Sequence, residues 1–223
     1  MFTRAQLARL WKANSAFALA AGSGMIAPAI GLVTAPILTR LYSPTEFGVL
    51  GSFAAILAST LSLANLRYEV TVPLPKEEAE AYSLARAAMK IGLGASLAIT
   101  ILVMAIAPLI FKADVVESLW RFWWWLPLAL VLASITQVLT QFAIRRGAFG
   151  ELASARLAQG LTGPAVQIGL GAAGLGVVGL LVGQAASQSG GLIRLWRSFR
   201  SVGETVARVP PAKELLKRYE RFP

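Results

Sequence analysis

The sequence contains no cysteine and no histidine. Without cysteine there is no disulfide framework and no thiolate metal site. Without histidine the commonest general base, the commonest metal ligand and the usual near-neutral pH switch are missing. Charge is scarce too: Asp, Glu, Lys and Arg make up 14% of the chain, against about 25% in typical soluble domains. The phosphate-loop pattern G-x-x-x-x-G-K-[ST] does not occur, so the chain is not expected to power itself with ATP. No nucleophile–base pair is visible, and the uncharged runs hold no carboxylate pair and no metal-ligand cluster. A non-enzyme is expected, with no catalytic residue, no metal site and no cofactor.

What the chain does have is apolar surface. Hydrophobic residues are 56% of the 223, and the mean hydropathy is +0.64. The net charge is +10, but the basic residues stand between apolar runs and do not interleave with aromatics on a polar surface. That pattern points to a membrane and away from nucleic acid. Five long stretches are uncharged: 13–39, 47–66, 91–111, 122–144 and 157–193. A spanning helix needs about 20 residues, and a charge at mid-bilayer costs about 2.5–3.5 kcal/mol. The first four stretches fit one helix each. The fifth is long enough for two, with a turn in the glycine-rich stretch 169–179.

The expected fold class is therefore an all-α integral membrane protein with six transmembrane helices, at about 13–39, 47–66, 91–111, 122–144, 153–173 and 177–193. Residues 1–12 form a tail ahead of this lobe, and 194–223 a basic tail or linker after it. The tail carries Arg4, Arg9 and Lys12 before an uncharged run longer than the about 7–15 residues of a signal core, so an uncleaved first span is expected. With both termini inside, only Arg40, Lys112 and Arg121 of the 21 basic residues fall outside. That asymmetry supports six helices, cytoplasmic termini and a multi-pass protein. Trp120, Trp123, Trp124 and Trp125 then lie at the outer interface as an aromatic belt.

The polar residues of the spans are the candidate site. Arg40 lies at the outer end of the first helix and Arg67 at the inner end of the second. A guanidinium suits bidentate capture of phosphate, or the same arginines snorkel to the interface. Glu69 stands beside Arg67, as ligand-site partner or as structural clamp, and Asn65 lies one turn before it. Gln137 and Gln141 share a face at i, i+4, as do Gln184 and Gln188; Gln159 and Gln167 lie on the fifth helix. These amides suit sugar hydroxyls in a cavity, or they hydrogen-bond helix to helix. Pro28 and Pro36, with several glycines, either kink the first helix or let it pack closely.

The turn Pro36-Ile37-Leu38-Thr39-Arg40-Leu41-Tyr42-Ser43-Pro44-Thr45-Glu46-Phe47-Gly48, and Leu66-Arg67-Tyr68-Glu69 followed by Pro75-Lys76-Glu77-Glu78, carry a resemblance. The chain resembles the polysaccharide flippases of the multidrug/oligosaccharidyl-lipid/polysaccharide exporter superfamily, the lipopolysaccharide biosynthesis or O-antigen flippase proteins. The resemblance implies a MATE-like fold of two six-helix lobes across a central cavity, with this chain as the N-terminal lobe or a truncated form of the flippase. It implies alternating access in the bacterial inner membrane, moving undecaprenyl-diphosphate-linked oligosaccharide to the outer leaflet, with a diphosphate role for Arg40 or Arg67. Implied partners are that lipid-linked oligosaccharide, membrane lipid, a second lobe (a separate chain or a homodimer) and glycan polymerase or transferase proteins. A drug or cation antiporter of the same superfamily is the alternative within transport, although the uncharged runs offer no carboxylate for a coupling cation. A non-transporting scaffold for glycan assembly is the alternative outside it.

Overall fold

The computed structural model describes residues 24–25, 28–64, 71–75, 77–110 and 124–205. Helices account for nearly all of them, and no strand occurs among the described residues. In chain order they are α1 (Pro28–Leu41), α2 (Pro44–Ala64), α3 (Glu78–Ile110), α4 (Trp125–Arg145), α5 (Phe149–Ala172), α6 (Gly176–Gly190) and α7 (Leu192–Thr205). Three of them contain segments long and apolar enough to cross a membrane: Pro44–Leu61, Glu78–Ile106 and Trp125–Arg145. The chain is thus all-α, with helices of membrane type. The aromatic run divides at the start of α4. Trp124 is half exposed, while Trp125, stacked on it with ring centroids 4.5 Å apart, is buried.

Local chemistry sets several of the helix boundaries. Between α1 and α2, Ser43-Pro44-Thr45-Glu46 forms a capping box. Ser43 N and Ser43 Oγ both donate to Glu46 Oε2, at 2.7 and 2.9 Å, and Glu46 N donates to Ser43 Oγ at 3.4 Å. Pro44 fills the first helical position, where its missing N–H costs nothing. Ser43→Ala should therefore cost about 0.5–2 kcal/mol, whereas Glu46→Gln, which keeps an acceptor, should cost less. Thermal unfolding of the two purified variants in detergent checks this order, and equal losses would contradict it.

Helices α4 and α5 both end on a glycine in the left-handed region, Gly147 at φ 66° and Gly174 at φ 74°. At the first end, Ala148 N donates to Ala143 O and Gly147 N to Ile144 O, both at 3.0 Å. At the second, Leu175 N donates to Leu170 O at 3.1 Å and Gly174 N to Gly171 O at 2.9 Å. Both are Schellman motifs, in which two crossing bonds satisfy carbonyls that the helix leaves open.

Helix α3 begins at Glu78, well before the uncharged run. Its first turns supply Ala81, Leu84, Ala85 and Ala88, all buried. Helix α7 extends the packed structure beyond the sixth predicted span: Leu195, Phe199 and Val202 are buried at i, i+4 and i+7. These residues join Val72, Val138, Leu139, Phe142 and Ala155 in one core cluster at the end of the bundle marked by the α4–α5 turn and α7. Two further clusters stack above it. Phe53, Ile56, Leu57, Leu126, Leu130 and Leu181 fill the middle, and Leu38, Tyr42 and Leu180 fill the far end, by the α1–α2 turn. The two arginines at the end of α4 tie the chain at the α7 end. Arg145 Nε and Nη2 donate to Pro75 O at 3.2 and 2.8 Å, and Arg146 Nε lies 3.0 Å from Glu78 Oε1.

Helices α5 and α6 form a close hairpin built on small residues. A Cβ on Gly183 would collide with the Gln167 side chain and approach Gly163 O to 3.0 Å, and a Cβ on Gly163 would meet Ser187 Cβ at 2.8 Å. Backbones approach this closely only where side chains are absent or small.

Candidate functional site

A cavity of about 240 Å³ opens in the half of the bundle nearer α7. Three elements bring polar groups to it. Helix α4 supplies Thr136, Gln137 and Thr140, α5 supplies Arg156 and Gln159, and α6 supplies Gln188. Leu61, Ala133, Leu152, Ala155, Leu195 and Gly24 complete the described wall. Arg156 is half-buried and is the single charged side chain in that wall. Its Nη1 would lie 3.3 Å from a Cβ placed on Gly24, so a larger residue there would press on the guanidinium. Among the described residues no carboxylate pairs with Arg156.

The surroundings fix these groups in place. Thr136 Oγ1 lies 2.7 Å from Leu132 O and 3.2 Å from Gln188 O, which ties α4 to α6 beside the cavity. Ser187 Oγ donates to Gln159 O at 3.0 Å and ties α6 to α5. An arginine without a carboxylate in an apolar bundle is costly unless an anion or water meets it. Its planar fork fits phosphate oxygens, and the three amides fit hydroxyls. The volume falls just short of the about 300 Å³ at which small-molecule pockets begin. A headgroup fragment fits; a whole oligosaccharide does not.

The predicted site residues divide on this geometry. Gln137 lines the cavity, whereas Gln141, one turn further on, does not. Gln188 lines it and Gln184 does not. Gln167 is buried elsewhere and donates from Nε2 to Leu180 O at 3.3 Å, so this amide joins α5 to α6. Arg40 is exposed at the end of α1 and does not reach the cavity. Asn65, Arg67 and Glu69 lie outside the described residues. Arg156 was within reach of sequence reasoning, because it is the one charged residue between Glu151 and Arg194.

The signature turn that carries Arg40 has a different centre of gravity in three dimensions. Tyr42 is 4% exposed and its hydroxyl donates to Gln167 O at 2.6 Å, 125 positions along the chain. The ring lies where a Cβ on Gly171 would come within 2.8 Å of it, and it meets Phe47 edge-on at 6.2 Å. Glu46 Oε1 sits 2.6 Å from where a Cβ on Gly176 would be, at the first residue of α6. The turn between α1 and α2 is thus bolted to the turn between α5 and α6. Burial, with the Glu46 carboxylate adding to it, pushes the Tyr42 phenol above its ordinary 10.0. A raised phenol keeps its stabilising contribution throughout neutral pH and loses it only as pH climbs past that range.

The turn, the cavity wall and the helix hairpin all fall within one region of similarity: the model of the polysaccharide biosynthesis protein family matches residues 37–217. The chain belongs to that family. No curated protein and no solved structure matches it. Family membership links the chain to polysaccharide synthesis or export, and the matched span contains every described cavity residue except Gly24.

Proposed function

We propose that the chain translocates a lipid-linked oligosaccharide, of the undecaprenyl-diphosphate class, across the bacterial inner membrane for surface polysaccharide synthesis. The observation that carries this reading is Arg156, uncompensated by any described carboxylate and ringed by Gln137, Gln159 and Gln188 inside an apolar bundle. An anionic headgroup supplies the missing charge, and the amides and threonines supply partners for the first sugar. The motion is translocation without covalent chemistry. The bundle acts as one six-span lobe of a two-lobe flippase, with both termini cytoplasmic. Helices α5 and α6 serve as its fifth and sixth spans, their polar and small residues facing partners in the bundle rather than lipid. A second lobe, as another chain or a second copy, closes the far side of the path.

Leaflet-specific labelling tests this directly. In a deletion strain that carries this chain, lipid-linked glycan should become labelled from the outer face of the inner membrane. Glycan confined to the cytoplasmic leaflet, with the chain present in the membrane at normal level, would overturn the proposal.

A further inference from the structure

We propose that the outward face of α7 lies on the membrane surface and gathers anionic phospholipid headgroups there. The inward face fixes the geometry. Phe199 stacks on Tyr82 at 4.5 Å and meets Phe142 edge-on at 5.1 Å, and a Cβ on Gly203 would strike the Tyr82 hydroxyl. Helix α7 therefore cannot roll, and what it turns outward is set. Outward it presents Arg194, Arg197 and Arg200, together with Ile193 at 62% and Trp196 at 45% exposure. Only Arg200 has an acidic neighbour among the described residues, Glu204 at 3.5 Å, in a pair that is itself largely exposed.

An isoleucine and a tryptophan left bare beside three arginines are poorly placed in water. They are well placed at the boundary between headgroups and acyl chains, where Ile193 and Trp196 bury apolar surface and arginine stems reach back to phosphates. Position along the chain supports that depth. A single residue, Gly191, separates α7 from α6, so its first turn stands at the end of the bundle. The charge complement selects the lipid: each arginine close to an anionic surface is worth about a fivefold gain in occupancy. The proposal stands independently of what the cavity carries.

The test uses the natural absence of cysteine. Ser201→Cys, on the exposed face of α7, places one thiol for a fluorophore on the full chain in lipid nanodiscs. Headgroup-spin-labelled phosphatidylglycerol should quench this label about fivefold or more better than spin-labelled phosphatidylcholine at equal mole fraction. The preference should fall to within about twofold when Arg194→Gln and Arg197→Gln are added to the labelled chain, and likewise in the labelled chain with both arginines intact at high salt. Equal quenching by the two lipids would overturn the proposal. So would a preference that survives the double substitution, or a label that neither lipid quenches, which would put this face in water.

Discussion

Arg156→Gln is expected to lower glycan translocation by about 10- to 100-fold with no change in the amount of protein in the membrane. The size follows from the about 1.5–3 kcal/mol that a hydrogen bond to a charged group contributes. The selectivity of the loss follows from the site. Among the described residues no carboxylate pairs with Arg156, so its removal strands no opposite charge among them, which is the usual route by which losing a buried ion unfolds a protein. Arg156→Lys keeps the charge but not the fork, and should fall between glutamine and the natural residue. Arg40→Gln supplies the control: exposed and away from the cavity, it should leave translocation within about twofold. The readout for all three is outer-leaflet glycan normalised to membrane level. If Arg40→Gln abolished transport and Arg156→Gln did not, the site would have to be moved to the mouth of α1.

Tyr42→Ala is expected to destabilise the chain by about 3–5 kcal/mol, the range for truncating a buried aromatic. Tyr42→Phe should cost only about 1 kcal/mol, the net worth of one hydrogen bond. The gap between the two separates packing from polarity. The ring fills the space left by Gly171 and Gly179, whereas the hydroxyl adds a bond to a carbonyl of α5. Denaturant or thermal unfolding in detergent gives both numbers, and losses equal within 0.5 kcal/mol would contradict the packing account. Gly179→Leu should act from the other side, since a Cβ there already comes within 2.5 Å of the Tyr42 hydroxyl.

Much of this fold can be read from residues close together in the chain. The capping box Ser43 to Glu46, the glycine turn at Gly174 and the apolar cores of α2 and α4 all follow from short-range rules. The start of α3 is legible too: the charged connection 73–90 reads as an amphipathic helix start that feeds the third span, and the tertiary structure adds which of its alanines are buried. Helix α7 was masked by its own arginines. A charge count reads 194–205 as a basic tail, yet Leu195, Phe199 and Val202 repeat at helical spacing on one face. The cavity needed the fold. Gln137 and Gln141 are equivalent by spacing, and so are Gln184 and Gln188, but α4 and α6 cross so that one amide of each pair faces inward. Arg40 drew attention because it breaks an apolar run, while its neighbours Tyr42 and Glu46 make the long-range contacts of that turn.

The bolted turns also constrain how this bundle deforms. Tyr42 and Glu46 join two loops that are distant in sequence, and glycines at 171, 176 and 179 leave no slack between them. Kinematically, that rim is a single block, so a motion that opens it must carry the ends of α1, α2, α5 and α6 together.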